Sequence, residues 1–165
     1  MKLTVEVPYG DIDAMGHLNN VAYLRYLEWA RQKYWLAMRG TIDDFWEIDF
    51  VVARAEIDYR SAAHMGEVLE LEVHVSRLGK SSFDFSYRLS GADGRLVAEA
   101  KTTQVCYDWA TRLPRRGSGR QAAGEASFGS GEGCRGLYRE WEASNASISR
   151  RRSSESGFDE RASQS

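Results

Sequence analysis

Apolar and polar residues alternate from Lys2 to Pro8, with Leu3, Val5 and Val7 set against Thr4 and Glu6. That is the period of a half-buried strand. Pro8, Gly10 and Gly16 bracket a loop, and the period then becomes that of a helix from about Val21 to Met38. Tyr23, Leu27, Ala30, Tyr34 and Met38 keep one face, which Leu24 and Trp35 widen, so other elements are expected to wrap around this helix. Asn19 or Asn20 suits its N-cap and Gly40 its C-terminal stop.

Four strand candidates follow. Phe50 to Tyr59 sets Val52, Arg54, Glu56 and Asp58 against Val51, Ala53, Ala55 and Ile57. Glu67 to Arg77 alternates Leu69, Leu71, Val73 and Val75 with Glu70, Glu72 and His74. Ser82 to Ser90 puts Phe83, Phe85, Tyr87 and Leu89 on one side, and Arg95 to Tyr107 sets Leu96, Ala98 and Ala100 against Val97, Glu99 and Lys101. Leu78-Gly79-Lys80-Ser81 and Gly91-Ala92-Asp93-Gly94 read as hairpin turns. One strand, one long helix and a meander of long strands predict an α+β domain, a curved antiparallel sheet wrapped around the helix. Open edges on such strands favour pairing between subunits.

The pattern stops near Leu113. Residues 113–165 are dominated by Arg, Ser, Gly and Glu, with Ile148 their only β-branched aliphatic residue. Such a segment buries too little apolar surface to offset an ordering entropy of roughly 1–2 kcal/mol per residue. The chain therefore divides into a folded domain over 1–112 and a tail over 113–165 expected to be disordered. The abrupt change also matches out-of-frame translation of a GC-rich gene, which the neighbouring reading frames of the coding DNA would test.

A net charge of −2 gives no reason to expect nucleic acid or an anionic membrane as partner. No apolar run is long enough to span a bilayer, and the first residues read as a strand rather than a signal peptide. Cys106 and Cys134 lie far apart, without metal-ligand spacing and outside any CxxC. Neither a disulfide nor a metal site is expected, and a reducing cytoplasm is the default location.

Candidate chemistry gathers between Asp11 and the helix start, where Asp11, Asp13, Gly16, His17, Asn19 and Asn20 share one loop. Hydrolysis of an acyl group needs an acid/base or nucleophilic side chain beside donors for a developing oxyanion. Backbone N–H groups at a helix start are unpaired and together carry about half a positive charge. Those near Asn20 and Val21 are the candidate donors. Asp13 is the candidate nucleophile or general base, whereas Asp11 is expected to shape the turn. His17 could position substrate, bond to Asp13 or hold the loop. Glu28 is expected to pair with Arg25 or Arg31 on the helix surface, with a lesser claim to catalysis.

These motifs resemble the hotdog-fold acyl-CoA thioesterases of the 4-hydroxybenzoyl-CoA thioesterase type over about residues 3–110. The specific part is Tyr9-Gly10-Asp11-Ile12-Asp13, then Gly16-His17-Leu18-Asn19-Asn20, then Tyr23-Leu24 and Glu28. Ile57-Asp58-Tyr59-Arg60 before Gly66-Glu67-Val68-Leu69, and Arg77-Leu78-Gly79-Lys80-Ser81-Ser82, are weaker echoes. Gly-His-x-Asn-Asn looks closest to long-chain acyl-CoA thioesterases.

The resemblance implies a hotdog fold, a catalytic site of Asp13, His17 and Asn20, and substrate contacts from Asn19, Tyr23, Arg77, Lys80 and Ser81. It also implies no cofactor, an acyl-CoA or acyl-ACP substrate, and a homodimer or homotetramer. Two departures matter. Met15 stands where the acyl-ACP relatives have the asparagine of Asp-x-Asn-x-His, and Asn20 where other relatives have a histidine. The competing reading is a non-catalytic acyl-binding domain, against which the presence of Asp13 counts.

Overall fold

Strand β1 (Lys2–Glu6) lies antiparallel to β3 (Val68–Leu78) in a computed structural model that describes residues 1–39 and 50–114. Helix α1 (Asn20–Arg39) follows β1 after a short 3-10 turn at Tyr9–Asp11. Strands β2 (Phe50–Tyr59), β4 (Ser82–Gly91) and β5 (Leu96–Asp108) complete an antiparallel sheet in the order β1-β3-β4-β5-β2. The chain thus has the expected α+β architecture, a curved antiparallel sheet with one long helix. Gly40 and residues 115–165 lie outside the described residues. Leu113 and Pro114 form a two-residue strand, β6 (Leu113–Pro114), paired with Asp108 and Tyr107.

The strands β3, β4 and β5 form the anticipated meander, and both turns close as hairpins. Gly79 N–H donates to Ser82 O at 2.7 Å and Gly91 N–H to Arg95 O at 2.9 Å. Strand β2 departs from simple chain order. It pairs with β5 from Phe50↔Cys106 to Tyr59↔Ala98 and so forms the edge opposite β1. Its burial does not follow the expected alternation: a register shift between Val52 and Arg54 interrupts the pairing, and most of its residues, Ala53 and Ala55 included, are exposed.

The core lies between the inner sheet face and α1. Leu69, Leu71 and Val73 of β3, Phe83, Phe85 and Leu89 of β4, and Val97 of β5 are all buried there. From the helix come Tyr23, Leu27, Ala30 and Trp35, as the apolar pattern predicts. Ala22 and Tyr26 are buried as well, whereas Leu24, assigned to the buried face, is 46% exposed. The stripe runs through 22, 26 and 30 instead, one helical position round from 24. Cys106 is buried and disulfide-bonded, against the expectation for the cysteines, and the sulfur it joins lies outside the described residues.

Candidate active site

The loop that enters α1 is anchored by Asp11. Its carboxylate is buried and accepts hydrogen bonds from the Arg25 guanidinium and, at 2.7 Å, from the Tyr26 hydroxyl. Its backbone oxygen accepts the Asn19 N–H at 2.8 Å. Burial and the bond to Asp11 push the Tyr26 phenol well above its usual range. Asp11 therefore fixes the turn, as expected. Arg25 serves this anchor rather than Glu28, and Arg31 donates to the Tyr87 hydroxyl at 3.3 Å. Glu28 is exposed and makes no ion pair among the described residues.

Residues 12 to 18 close into a narrow loop through a bridge between Ile12 and Leu18. Asp13 N–H donates to His17 O at 2.9 Å, and Gly16 N–H donates to Asp13 O at 3.0 Å. Gly16 has φ +78, the left-handed region where a side chain would be strained, so glycine suits this tight reversal. Asp13 Oδ1 accepts the Met15 N–H at 2.8 Å and the His17 N–H at 3.3 Å. Asp13 Oδ2 has no hydrogen-bond donor among the described residues.

Asn19 is the helix cap: its Oδ1 accepts the Val21 N–H at 2.9 Å. Of the two amides read from the sequence as oxyanion donors, Val21 is therefore occupied. The Asn20 N–H meets no acceptor among the described residues.

Facing this loop is the segment that leaves β2. Tyr59, Arg60, Ser61 and Ala62 line one side of an open cleft of about 450 Å³; Asp13, His17, Leu18, Asn20 and Tyr23 line the other. The Tyr23 and Tyr59 rings meet edge-to-face at 5.0 Å, and burial pushes the Tyr23 phenol up. His17 meets His64 edge-on at 5.3 Å, and His64 Nδ1 lies 3.3 Å from Gly16 O. The structure thus brings together Asp13, His17, Asn20 and Tyr23, with Asn19 beside them as the cap. The wall from Tyr59 to Ala62 was missed as part of the site. Its only signal was the Tyr59-Arg60 echo at the strand exit.

Arg77, Lys80 and Ser81 lie elsewhere within the chain. Strand β3 starts at Val68, near the cleft, and ends at Leu78. At about 3.3 Å per residue the strand runs for roughly 35 Å, which puts that hairpin at its far end, and none of the three residues lines the cleft. Arg77 is also engaged, donating from Nε to Asp84 Oδ2 at 2.7 Å and from Nη2 to Asp84 Oδ1 at 3.2 Å. Asp84 is only 1% exposed and also meets Lys101 Nζ at 3.1 Å. The Arg77 fork holds its carboxyl down at about 2 against the opposing effect of burial, helped by Thr103 and Lys101. Lys80 is exposed at the hairpin tip, and Ser81 O accepts the Cys106 N–H at 2.9 Å. Among the described residues no group of three or more His, Cys, Asp and Glu side chains is arranged to hold a metal ion.

A carboxylate with one free oxygen and an unpaired helix-start amide on one cleft can serve acyl transfer to water, the oxygen activating the attack and the amide receiving the oxyanion. Comparison with known proteins points the same way. The family model described as the thioesterase-like superfamily matches residues 7–135. The chain is 31% identical over 119 residues to a 1,4-dihydroxy-2-naphthoyl-CoA hydrolase of Synechococcus elongatus, covering 67% of this chain and 86% of that one. It is also 31% identical over 117 residues to the long-chain acyl-CoA thioesterase FadM of Escherichia coli, covering 68% and 86%. A solved thioesterase from Thermus thermophilus, complexed with coenzyme A and zinc, matches with a TM-score of 0.61 at 30% identity over 69% of this chain and 89% of that one.

Proposed function

The chain belongs to the thioesterase-like superfamily and is a thioester hydrolase, and from that premise we propose that its cleft cleaves acyl-CoA to a free acid and coenzyme A with Asp13 as the reacting carboxylate. The single observation that carries the reading is the shared cleft of Asp13 and Asn20, whose Oδ2 and backbone amide respectively have no partner among the described residues. The names of the naphthoyl-CoA and long-chain relatives support a coenzyme A thioester as substrate, as does the coenzyme A bound by the Thermus relative. They weigh against a non-catalytic acyl-binding domain.

In the general-base route, Asp13 Oδ2 takes a proton from water as the water oxygen bonds to the thioester carbon. The carbonyl electrons move to oxygen, which the Asn20 N–H stabilises. When the carbonyl re-forms, the C–S bond breaks and the thiolate leaves, taking up the proton held by Asp13. In the nucleophilic route Oδ2 bonds to the carbon, the C–S bond breaks as the carbonyl re-forms and the thiolate leaves; water then cleaves the mixed anhydride, freeing the acid and the Asp13 carboxylate, and the thiolate takes up a proton from water. Thiolate is a good leaving group, so neither route needs a strong general acid. Hydroxylamine capture of an acyl-aspartyl species separates them. His17 holds the loop through its backbone, its oxygen accepting the Asp13 N–H.

We further propose a homodimer or homotetramer acting in the cytoplasm. The exposed β2 edge supports association, with Val52 47% and Tyr59 51% exposed. The distance of Arg77, Lys80 and Ser81 from Asp13 supports it too, since a second copy could bring that hairpin to the substrate. No helix among the described residues is long and apolar enough to cross a membrane.

The test is thiol release from a panel of acyl-CoA esters of varied chain length, aromatic esters included, with light scattering on the same sample. Hydrolysis that survives Asp13→Asn at the wild-type rate would move the catalyst elsewhere, and a strictly monomeric active enzyme would remove the association.

A further inference from the structure

We infer that Arg95, acting with Glu67, is a positioning residue that clamps the far wall of the cleft at its working distance from Asp13. The inference rests on the hydrolase reading of that cleft. Residues 60–64 belong to no helix or strand, so no continuous ladder fixes this wall. The Arg60 and Ser61 N–H groups both donate to Val97 O, at 2.9 and 3.2 Å, and Arg95 adds side-chain anchors beyond that point. Its Nη1 donates to Ser61 Oγ at 2.7 Å and to Ala62 O at 2.6 Å, and its Nη2 pairs with Glu67 Oε1. Ser61 Oγ in turn donates to Leu96 O at 2.6 Å, and Glu67 Oε2 accepts the His64 N–H at 3.1 Å. One guanidinium and one carboxylate thereby hold three residues of the segment that carries the wall, Ser61 and Ala62 directly and His64 through Glu67.

The clamp connects to the reacting loop at two points. Leu18 N–H donates to Ala63 O at 2.8 Å, and the His64 ring lies against Gly16 O and the edge of His17. Displacing the wall would therefore move substrate relative to Asp13, or the Asp13 loop itself. The pair is also partly shielded, with side chains 34% and 20% exposed. Space for it is made by Gly91. A Cβ there would stand 2.8 Å from Glu67 Oε1 and 2.7 Å from Asp93 Oδ1, so any larger residue pushes the clamp carboxylate away. A planar fork can serve the Ser61–Ala62 segment and Glu67 at once; a lysine ammonium offers only one nitrogen for both.

A displacement of about 1 Å can lower a rate by about 10²-fold. In the full-length protein, Arg95→Lys and Glu67→Gln should each lower kcat by roughly 10- to 100-fold, with KM changed less than about threefold. The double variant should be no worse than the poorer single one, because the two side chains act as a unit. Arg88→Lys, which alters an exposed 3.5 Å pair with Glu99, should match the wild type. Amide exchange at His64 and Leu18 should quicken in Glu67→Gln. Wild-type kcat per folded molecule, or a loss that merely tracks a lower folded fraction, overturns the clamp. If Arg95→Lys does not fold, Glu67→Gln carries the test alone. A wild-type chain inactive on every thioester would sink the hydrolase reading instead, and unchanged exchange at His64 would sink the clamp whatever the turnover.

Discussion

Asp13 Oδ1 accepts the Met15 amide at 2.8 Å, so one carboxylate oxygen is committed to the loop while the other is left for chemistry. Asp13→Asn can keep the loop bond through its amide oxygen and removes the negative charge. Turnover should fall by about 10²- to 10⁴-fold, with the melting temperature within a few degrees of wild type. Thiol release and thermal unfolding on the same preparation check this. If the rate is unaffected, the exposed Glu28, which makes no ion pair among the described residues, is the next carboxylate to replace.

The Asn20 amide can be deleted without disturbing the helix. Asn20 is the first residue of α1, where proline is well tolerated, and the extended backbone usual at a cap such as Asn19 suits a residue before proline. Asn20→Pro should therefore fold, yet lose one oxyanion donor, a loss of roughly 2.7–4 kcal/mol or about 10²–10³ in kcat by comparison with other hydrolases. Asn20→Ala keeps the N–H and isolates any effect of the side chain. Equal rates for the two variants would rule out the amide as donor.

Much of this architecture was legible because alternation and helical period are local. The span Phe50–Tyr59 matches the strand it predicted, and the other strands and the helix differ from expectation by one or two residues at their ends. Pairing order is not local: alternation reports which residues share a face, not which strand supplies the ladder, so β2 beside β5 could not be read. Leu24 and Leu27 look alike as side chains, and only packing showed that 22 and 26 turn inward while 24 turns out. Asp84 alternates with Phe83 and Phe85 along β4, and the alternation alone gives no sign that a carboxylate there is buried. Its burial follows from Arg77 and Lys101 folding over it, two partners on different strands. In the site, the loop from Asp11 to Asn20 was readable because it is contiguous. The wall from Tyr59 to Ala62 was not, because it is joined to that loop only through the fold.

The Asp84 cluster makes a statement about stability in acid. The carboxyl is held at about 2, below its ordinary 3.8, so the folded state binds its proton less readily than the unfolded chain. The stabilisation is therefore present above about pH 4 and is lost as pH falls toward 2. Its size is on the order of 2 kcal/mol. Asp84→Asn should lower stability at neutral pH by about 1–3 kcal/mol and flatten the acid limb between pH 4 and 2. Urea unfolding of both proteins across that range measures both. An acid limb of unchanged slope would mean that other carboxylates carry it.

The two acids of the Asp-Ile-Asp run should separate stability from activity. Asp11 is buried with the Tyr26 hydroxyl and the Arg25 guanidinium on its two oxygens, whereas Asp13 is half-buried with one oxygen free. Asp11→Ala strands the Tyr26 hydroxyl without its acceptor, a desolvation loss of about 1–3 kcal/mol. For a domain of this size that corresponds to a fall of roughly 4–20 °C in melting temperature. Asp11→Ala with Tyr26→Phe should recover part of the loss, because no buried hydroxyl is then left unpaired. If Asp11→Ala melted like the wild type but had lost turnover as completely as Asp13→Asn, the assignment of structural and reacting roles to these two carboxylates would have to be exchanged.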